Sequence, residues 1–164
     1  MPADGVQGLA DAITRVRSTA DYQFGKGVGS MLFPEKVKIR YSKRTGRIRY
    51  VYLDDERLAT LRPTDGLFSL SIAGAKRIVG NSRSAKCIVT VRDDVSGFIA
   101  EGGDVFAAHV IRVYPEVRAK DEVIVVDKHT NVLAVGRAVL SADEMKAFKR
   151  GVAVKVRRGS SKES

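Results

Sequence analysis

The chain has no tryptophan, one cysteine, two histidines and four prolines in 164 residues. One cysteine cannot close an internal disulfide, and no Cys-rich zinc site can be assembled from it. Cys87 sits within an apolar alternation and reads as core packing. His109 and His129 lack matching cysteines or spaced carboxylates, so neither a metal site nor a catalytic triad is expected, and no cofactor is implied. No segment approaches the roughly 18 unbroken apolar residues of a membrane span. Met1-Pro2-Ala3-Asp4-Gly5 has no basic stretch leading into an apolar run, so no secretory signal is read there and a soluble, cytoplasmic protein is expected.

Acid is also in short supply. Against 29 Lys and Arg stand 19 Asp and Glu, a net charge of +10. Such a balance favours a polyanionic partner: nucleic acid, the ribosome or an anionic membrane surface. The adjacent acids Asp54-Asp55-Glu56, Asp93-Asp94 and Asp121-Glu122 fall in expected turns, where solvated carboxylates are the default. No active site of its own is expected.

Two compact units are expected. Over residues 6–23, Val6, Leu9, Ala10, Ile13, Val16 and Arg17 recur at helical spacing, with Asp4 as a candidate N-cap. The stretch Gly25-Lys26-Gly27-Val28-Gly29-Ser30 ends that helix. It lacks the spacing of a dinucleotide loop or P-loop and reads as a linker. After Pro34 the period becomes two: Val37, Ile39 and Tyr41 alternate with Lys36, Lys38 and Arg40. Ser42 to Gly46 make a turn, and the return strand alternates Ile48, Tyr50 and Tyr52 with Arg47, Arg49 and Val51. A short strand at Leu58 to Leu61 and a helix from Ser71 follow, and the boundary is expected in the polar stretch 80–84.

Beyond it the chain is strand-rich. Cys87 to Val91, Val105 to Val113, Glu122 to Val126, Val132 to Leu140 and Val152 to Val156 carry β-branched alternation between turn signals. One short helix is expected before Gly102-Gly103. Another is expected at Ala142 to Phe148, where Ser141 and Glu144 form a capping box. Several short strands at this spacing predict a small barrel. The fold class is therefore α+β: a basic α+β domain at 1–80, a β-barrel at 86–158 and a disordered tail at 159–164.

Val89-Thr90-Val91, Phe98-Ile99, Gly102 to Ala107, Asp121-Glu122-Val123, Leu133 to Ala138 and Gly151 to Arg157 make the second half resemble a PUA domain, an RNA-binding β-barrel. The first half resembles the small domain that precedes PUA in archaeal tRNA-guanine transglycosylase and archaeosine synthase. Tyr22-Gln23-Phe24-Gly25, Ser42-Lys43, Thr45 to Arg49 and Leu61-Arg62-Pro63 with Asp65-Gly66 carry that likeness. The chain departs from the family at Ala108 and His109, where a lysine and an aromatic are common. The resemblance implies binding of structured RNA, above all tRNA near its acceptor end. The barrel that performs base exchange in those enzymes needs far more chain than this, so a protein that is not itself an enzyme is expected.

Lys36, Lys38, Arg40, Lys43, Arg44, Arg47 and Arg49 form the densest basic feature, with no acid among residues 36–49. A hairpin would put Lys36, Lys38 and Arg40 on one face, suited to phosphates, although lysines also guard strand edges. The resemblance implies an RNA groove between the glycine loop and the last strand, with Gly102, Gly103, Val105, Lys155 and Arg157 as site residues. Arg150 belongs to the same C-terminal basic cluster. Two further roles stay open: the non-catalytic part of a split tRNA-modifying transglycosylase with a separately encoded catalytic subunit, or a translation factor on ribosomal RNA.

Overall fold

The computed structural model describes residues 5–81 and 85–162. The expected cap at Asp4 and residues 82–84 of the expected boundary lie outside them. The chain divides into two compact units, Met1–Ala85 and Lys86–Ser164.

In the first unit, α1 (Gly5–Phe24) buries Ala12, Ile13, Val16, Ala20 and Phe24, one stripe at helical spacing. Leu9 and Ala10, expected inside, are exposed. The stripe is turned because a second helix, α2 (Val28–Leu32), docks against α1. That docking corrects the reading of residues 25–30 as a linker. A Cβ on Gly29 would stand 2.2 Å from the carbonyl oxygen of Arg17, so only glycine permits the approach. The Gly29 N–H donates to Asp21 Oδ1 at 2.6 Å, and Val28 and Leu32 are buried. Arg17 donates to the Phe33 carbonyl, and Arg77 to those of Met31 and Leu32, satisfying the open C-terminal end of α2.

The sheet is an antiparallel meander of β1 (Lys38–Tyr41), β2 (Ile48–Leu53), β3 (Glu56–Leu61) and β4 (Phe68–Leu70). β4 is too short for its alternation to register in the sequence. It is held to α1 by Gln23, whose side-chain amide exchanges two hydrogen bonds with the Phe68 backbone, at 2.8 and 2.7 Å. The β3–β4 turn is closed by a two-point Arg62–Asp65 ion pair, with Asp65 also accepting from the Leu67 N–H. Helix α3 (Ile72–Asn81) is capped by Ser71, whose hydroxyl accepts from the Gly74 N–H and donates to the Arg57 carbonyl at 2.6 Å.

The second unit has the strand order β6-β10-β9-β8-β5-β7, built from β5 (Ile88–Val91), β6 (Val105–Phe106), β7 (Val110–Val113), β8 (Glu122–Val126), β9 (Val132–Ala138) and β10 (Val152–Gly159). β6 and β7 lie at opposite ends of that order, yet only the 3₁₀ turn Ala107–His109 joins them. The sheet must therefore curl until its edges meet, which makes a barrel. Closure also explains why the single strand expected over 105–113 is broken in two. Ile99 of α4 (Ser96–Ala100) and Met145 of α5 (Ala142–Ala147) are buried with Val89, Val123, Val125 and Val154 in the barrel core. The expected capping box is present: Ser141 Oγ accepts from the Glu144 N–H, and Glu144 Oε1 from the Ser141 N–H. Cys87 is buried, and burial with the nearby Glu122 pushes its thiol up to about 12, as suits a packing residue.

The tail reading needs correcting at its start. Gly159 ends β10 with no room for a Cβ, which would lie 2.2 Å from the Ala100 carbonyl oxygen. Ser160–Lys162 make a 3₁₀ turn pinned by Ser161 Oγ to that same carbonyl at 2.7 Å. Residues 163–164 lie outside the described residues.

Two glycine substitutions should behave oppositely in urea denaturation. Gly29→Ala forces α2 off α1 and is expected to cost about 1–3 kcal/mol. Gly80→Ala, in α3 with open space around it, is expected to stabilise by up to about 1 kcal/mol.

Candidate nucleic-acid interface

The register of the first sheet decides what each face carries. Ile39, Val51, Ala59 and Leu70 lie side by side across the four strands and turn toward the helices. The next row is Arg40, Tyr50, Thr60 and Ser69, none of them buried. Two one-residue bulges produce this division. Between the Arg40–Tyr50 and Tyr41–Ile48 pairs β2 holds one extra residue, Arg49. β3 likewise holds Leu58 extra between the pairs made by Val51 and Tyr52. A bulge re-aims side chains past the strict alternation of a strand. Hence Leu58 and Ala59 are both buried, while Arg49 joins Tyr50.

This corrects the strict alternation expected of Ile48, Tyr50 and Tyr52 with Arg47, Arg49 and Val51. Ile48 and Val51 point inward, and Tyr50 and Tyr52 share the outer face with Lys38 and Arg40. The guanidinium of Arg40 lies over the Tyr52 ring at 5.1 Å, and that of Arg49 near the Tyr50 ring at 5.8 Å. Lys36, Lys38, Arg40, Lys43, Arg44 and Arg47 are exposed and Arg49 is half-buried. Among the described residues none of these seven cations forms an ion pair. The turn that presents Lys43 and Arg44 is shaped by Ser42 Oγ, which accepts from the N–H groups of Arg44 and Thr45.

In the second unit the glycine loop and the last strand do come together. Gly102 has φ +108°, and its N–H donates to the Ile99 carbonyl as α4 ends. Gly103 lies beneath the exposed Phe98, where a Cβ would meet the ring at 2.3 Å. Asp104 then fastens the loop to β10: Oδ1 accepts from the Val156 N–H at 2.9 Å, and Oδ2 lies 3.5 Å from Lys155 Nζ. The Lys155 side chain remains 75% exposed. Phe98, Gly102 and Lys155 thus line an accessible junction that Asp104 holds in shape. Neither Phe98 nor Asp104 was singled out from the sequence as a site residue. An aromatic four residues before the glycine pair, and an acid directly after it, were the available signals.

Three expected site residues lie elsewhere. Val105 is fully buried, so its side chain belongs to the barrel core and only its backbone remains for a ligand. Arg157 is the extra residue of a bulge in β10 and turns to Glu122, donating to Oε1 at 2.9 Å and also to Oε2. The Glu122 side chain is wholly buried, so the reading of Asp121-Glu122 as solvated turn acids holds for Asp121 alone. Arg150 is exposed beyond the start of β10, beside Gly151, whose carbonyl accepts from the Ala107 N–H. There the Phe106 N–H donates to His109 Nδ1 at 3.2 Å. Burial and nearby Arg92 hold the His109 imidazole below its ordinary pKa, which keeps that acceptor free. Among the described residues no group of three or more His, Cys, Asp or Glu side chains could hold a metal ion. No described helix is long and apolar enough to cross a membrane.

Residues 88–160 match the family profile of the PUA domain. The second unit belongs to the PUA family. Residues 14–84 match the patch-forming domain C2 of tRNA-guanine transglycosylase. The chain is 40% identical over 154 residues to the tRNA-guanine(15) transglycosylase of Methanothermobacter thermautotrophicus, covering 94% of this chain and 24% of that one. It is 40% identical over 151 residues to the enzyme of that name from Pyrococcus abyssi, covering 92% and 25%. The chain thus spans about a quarter of the length of the curated relatives it matches. Two solved structures share the fold. A hypothetical protein of Pyrococcus horikoshii OT3 has a TM-score of 0.73 at 20% identity, covering 92% of this chain and 90% of its own. A conserved PUA domain protein of Thermoplasma acidophilum has a TM-score of 0.66 at 19% identity, covering 94% and 92%.

The C2 and PUA motifs that carry the likeness include framework residues: Gln23 bonded to β4, Arg62 with Asp65, Asp104 bonded to β10, and Glu122 with Arg157. Arg157→Ala removes the two-point ion pair from the buried Glu122 carboxylate and is expected to cost about 3 kcal/mol. Lys155→Ala removes an exposed pair and should cost under about 1 kcal/mol. Urea midpoints of the two variants check the contrast.

Proposed function

We propose that this chain binds structured RNA, most directly tRNA near its acceptor end, and supplies binding rather than chemistry. The observation that carries the reading is the run of seven cations from Lys36, just before β1, through the turn to Arg49 on β2, none of which forms an ion pair among the described residues. Charge left uncompensated in the folded protein is charge available to phosphates. The resemblance to PUA domains supports a second contact at the junction of Phe98, Gly102 and Lys155. There an unpaired RNA end would meet an exposed ring, a glycine backbone open to close approach and a cation.

The relatives' name supports tRNA as the RNA and guanine exchange as the setting. Base exchange there would come from a catalytic domain outside the matched region. The described residues present no nucleophile with an adjacent base, and Asp104 at the junction is committed to β10. The basic surface of the first unit recruits the RNA, and the PUA barrel receives its end.

Binding to a tRNA transcript should weaken linearly in log–log terms as salt rises. The triple variant Lys43→Ala, Arg44→Ala, Arg47→Ala should lower that slope by about one for each phosphate contact removed. Trimming the unpaired 3′ end should weaken binding of the parent and the triple variant by the same factor. Salt-independent binding, or indifference to the trimmed end, contradicts the proposal.

A further inference from the structure

The strands of the first sheet carry four cations, Lys38, Arg40, Arg49 and Arg57, and one acid, Glu56, which adjoins Asp54 and Asp55 of the β2–β3 turn. A surface that served only phosphates would need nothing more than those cations. Here β2 also places Tyr50 and Tyr52 on the outer face, two residues apart. Their ring centroids are 6.2 Å apart at 66°, and neither residue is buried. The Arg49 bulge brings a second guanidinium onto this face beside that of Arg40. Thr60 and Ser69 continue the row with hydroxyls.

We infer that this face stacks an unpaired RNA base on Tyr50 and Tyr52. Every base offers a π-face, and tyrosine rings flanked by guanidinium planes form a stacking platform, while Lys38 and Arg40 meet the adjoining phosphates. Thr60 and Ser69 offer hydroxyls to a base edge or a 2′-OH. Bases inside an A-form duplex are already stacked, so the platform selects single-stranded segments over paired ones. This deepens the proposed function and rests on it. The cationic turn would attract any RNA, and the tyrosines would choose its unpaired portion.

The test compares a single-stranded oligoadenylate of about 12 nucleotides with an RNA duplex of the same length. For Tyr50→Ala/Tyr52→Ala, affinity for the single strand should fall by about five- to a hundredfold, with duplex affinity within about twofold of the parent. Tyr50→Phe/Tyr52→Phe, which keeps the rings, should retain single-strand binding. Because the chain has no tryptophan, its emission comes from five tyrosines, and the parent protein itself should show saturable quenching by the oligoadenylate. That last measurement needs no variant to fold. Unchanged tyrosine emission, or equal losses for both probes, overturns the inference. Unchanged single-strand affinity of the alanine variant with salt-dependent binding intact removes stacking but leaves RNA binding standing. Absence of salt-dependent binding to either probe removes both.

Discussion

A β-strand presents its side chains alternately to two faces, and the surfaces of this protein depend on where one extra residue breaks that order. At Arg49 the bulge carries a guanidinium onto the outer face beside Tyr50. At Leu58 it turns two consecutive apolar residues inward, and the Leu58 carbonyl accepts from the Ser71 N–H at the start of α3. At Arg157 it sends a cation to the buried Glu122. In each case a local insertion decides whether a side chain serves the core or the surface.

The two units handle charge differently. In the barrel, Lys86, Arg92, Lys155 and Arg157 each stand against a carboxylate, from Glu116, Asp94, Asp104 and Glu122 in turn. In the first sheet the cations of the hairpin are left open. Counting 15 basic and 8 acidic residues in 1–85 gives +7, against +3 for the remainder. Long-range attraction of a polyanion therefore falls mainly to the first unit. The junction at Phe98, Gly102 and Lys155, where a short-range contact is proposed, is shaped by Asp104 and by close backbone contact at Gly159.

Much of this was legible in the sequence. β8 and the Ser141 capping box lie where alternation and spacing place them, because each depends on neighbours a few residues away. The alternation that grouped Ile48 with Tyr50 and Tyr52 fails at Arg49, since it assumes a strand without bulges, and a bulge is set by its pairing partner. Gly29 and Glu122 escaped for a related reason. A glycine that lets two helices touch looks like a linker glycine, and a buried acid looks solvated until the arginine 35 residues away is found beside it. The family motifs marked the correct regions, yet part of what they mark is framework: Gln23, Asp65 and Asp104 hold loops and strands in place.

The central claim is that RNA meets two separate surfaces, the open cationic sheet face and the glycine-loop junction. Amide chemical-shift mapping of the labelled chain, titrated with an RNA hairpin bearing an unpaired 3′ end, tests it most directly. The account predicts shifts concentrated at residues 36–52, at Gly102 to Asp104 and at Lys155, with the α1–α2 contact around Gly29 unmoved. Shifts absent from both surfaces, or centred on other parts of the chain, would contradict it.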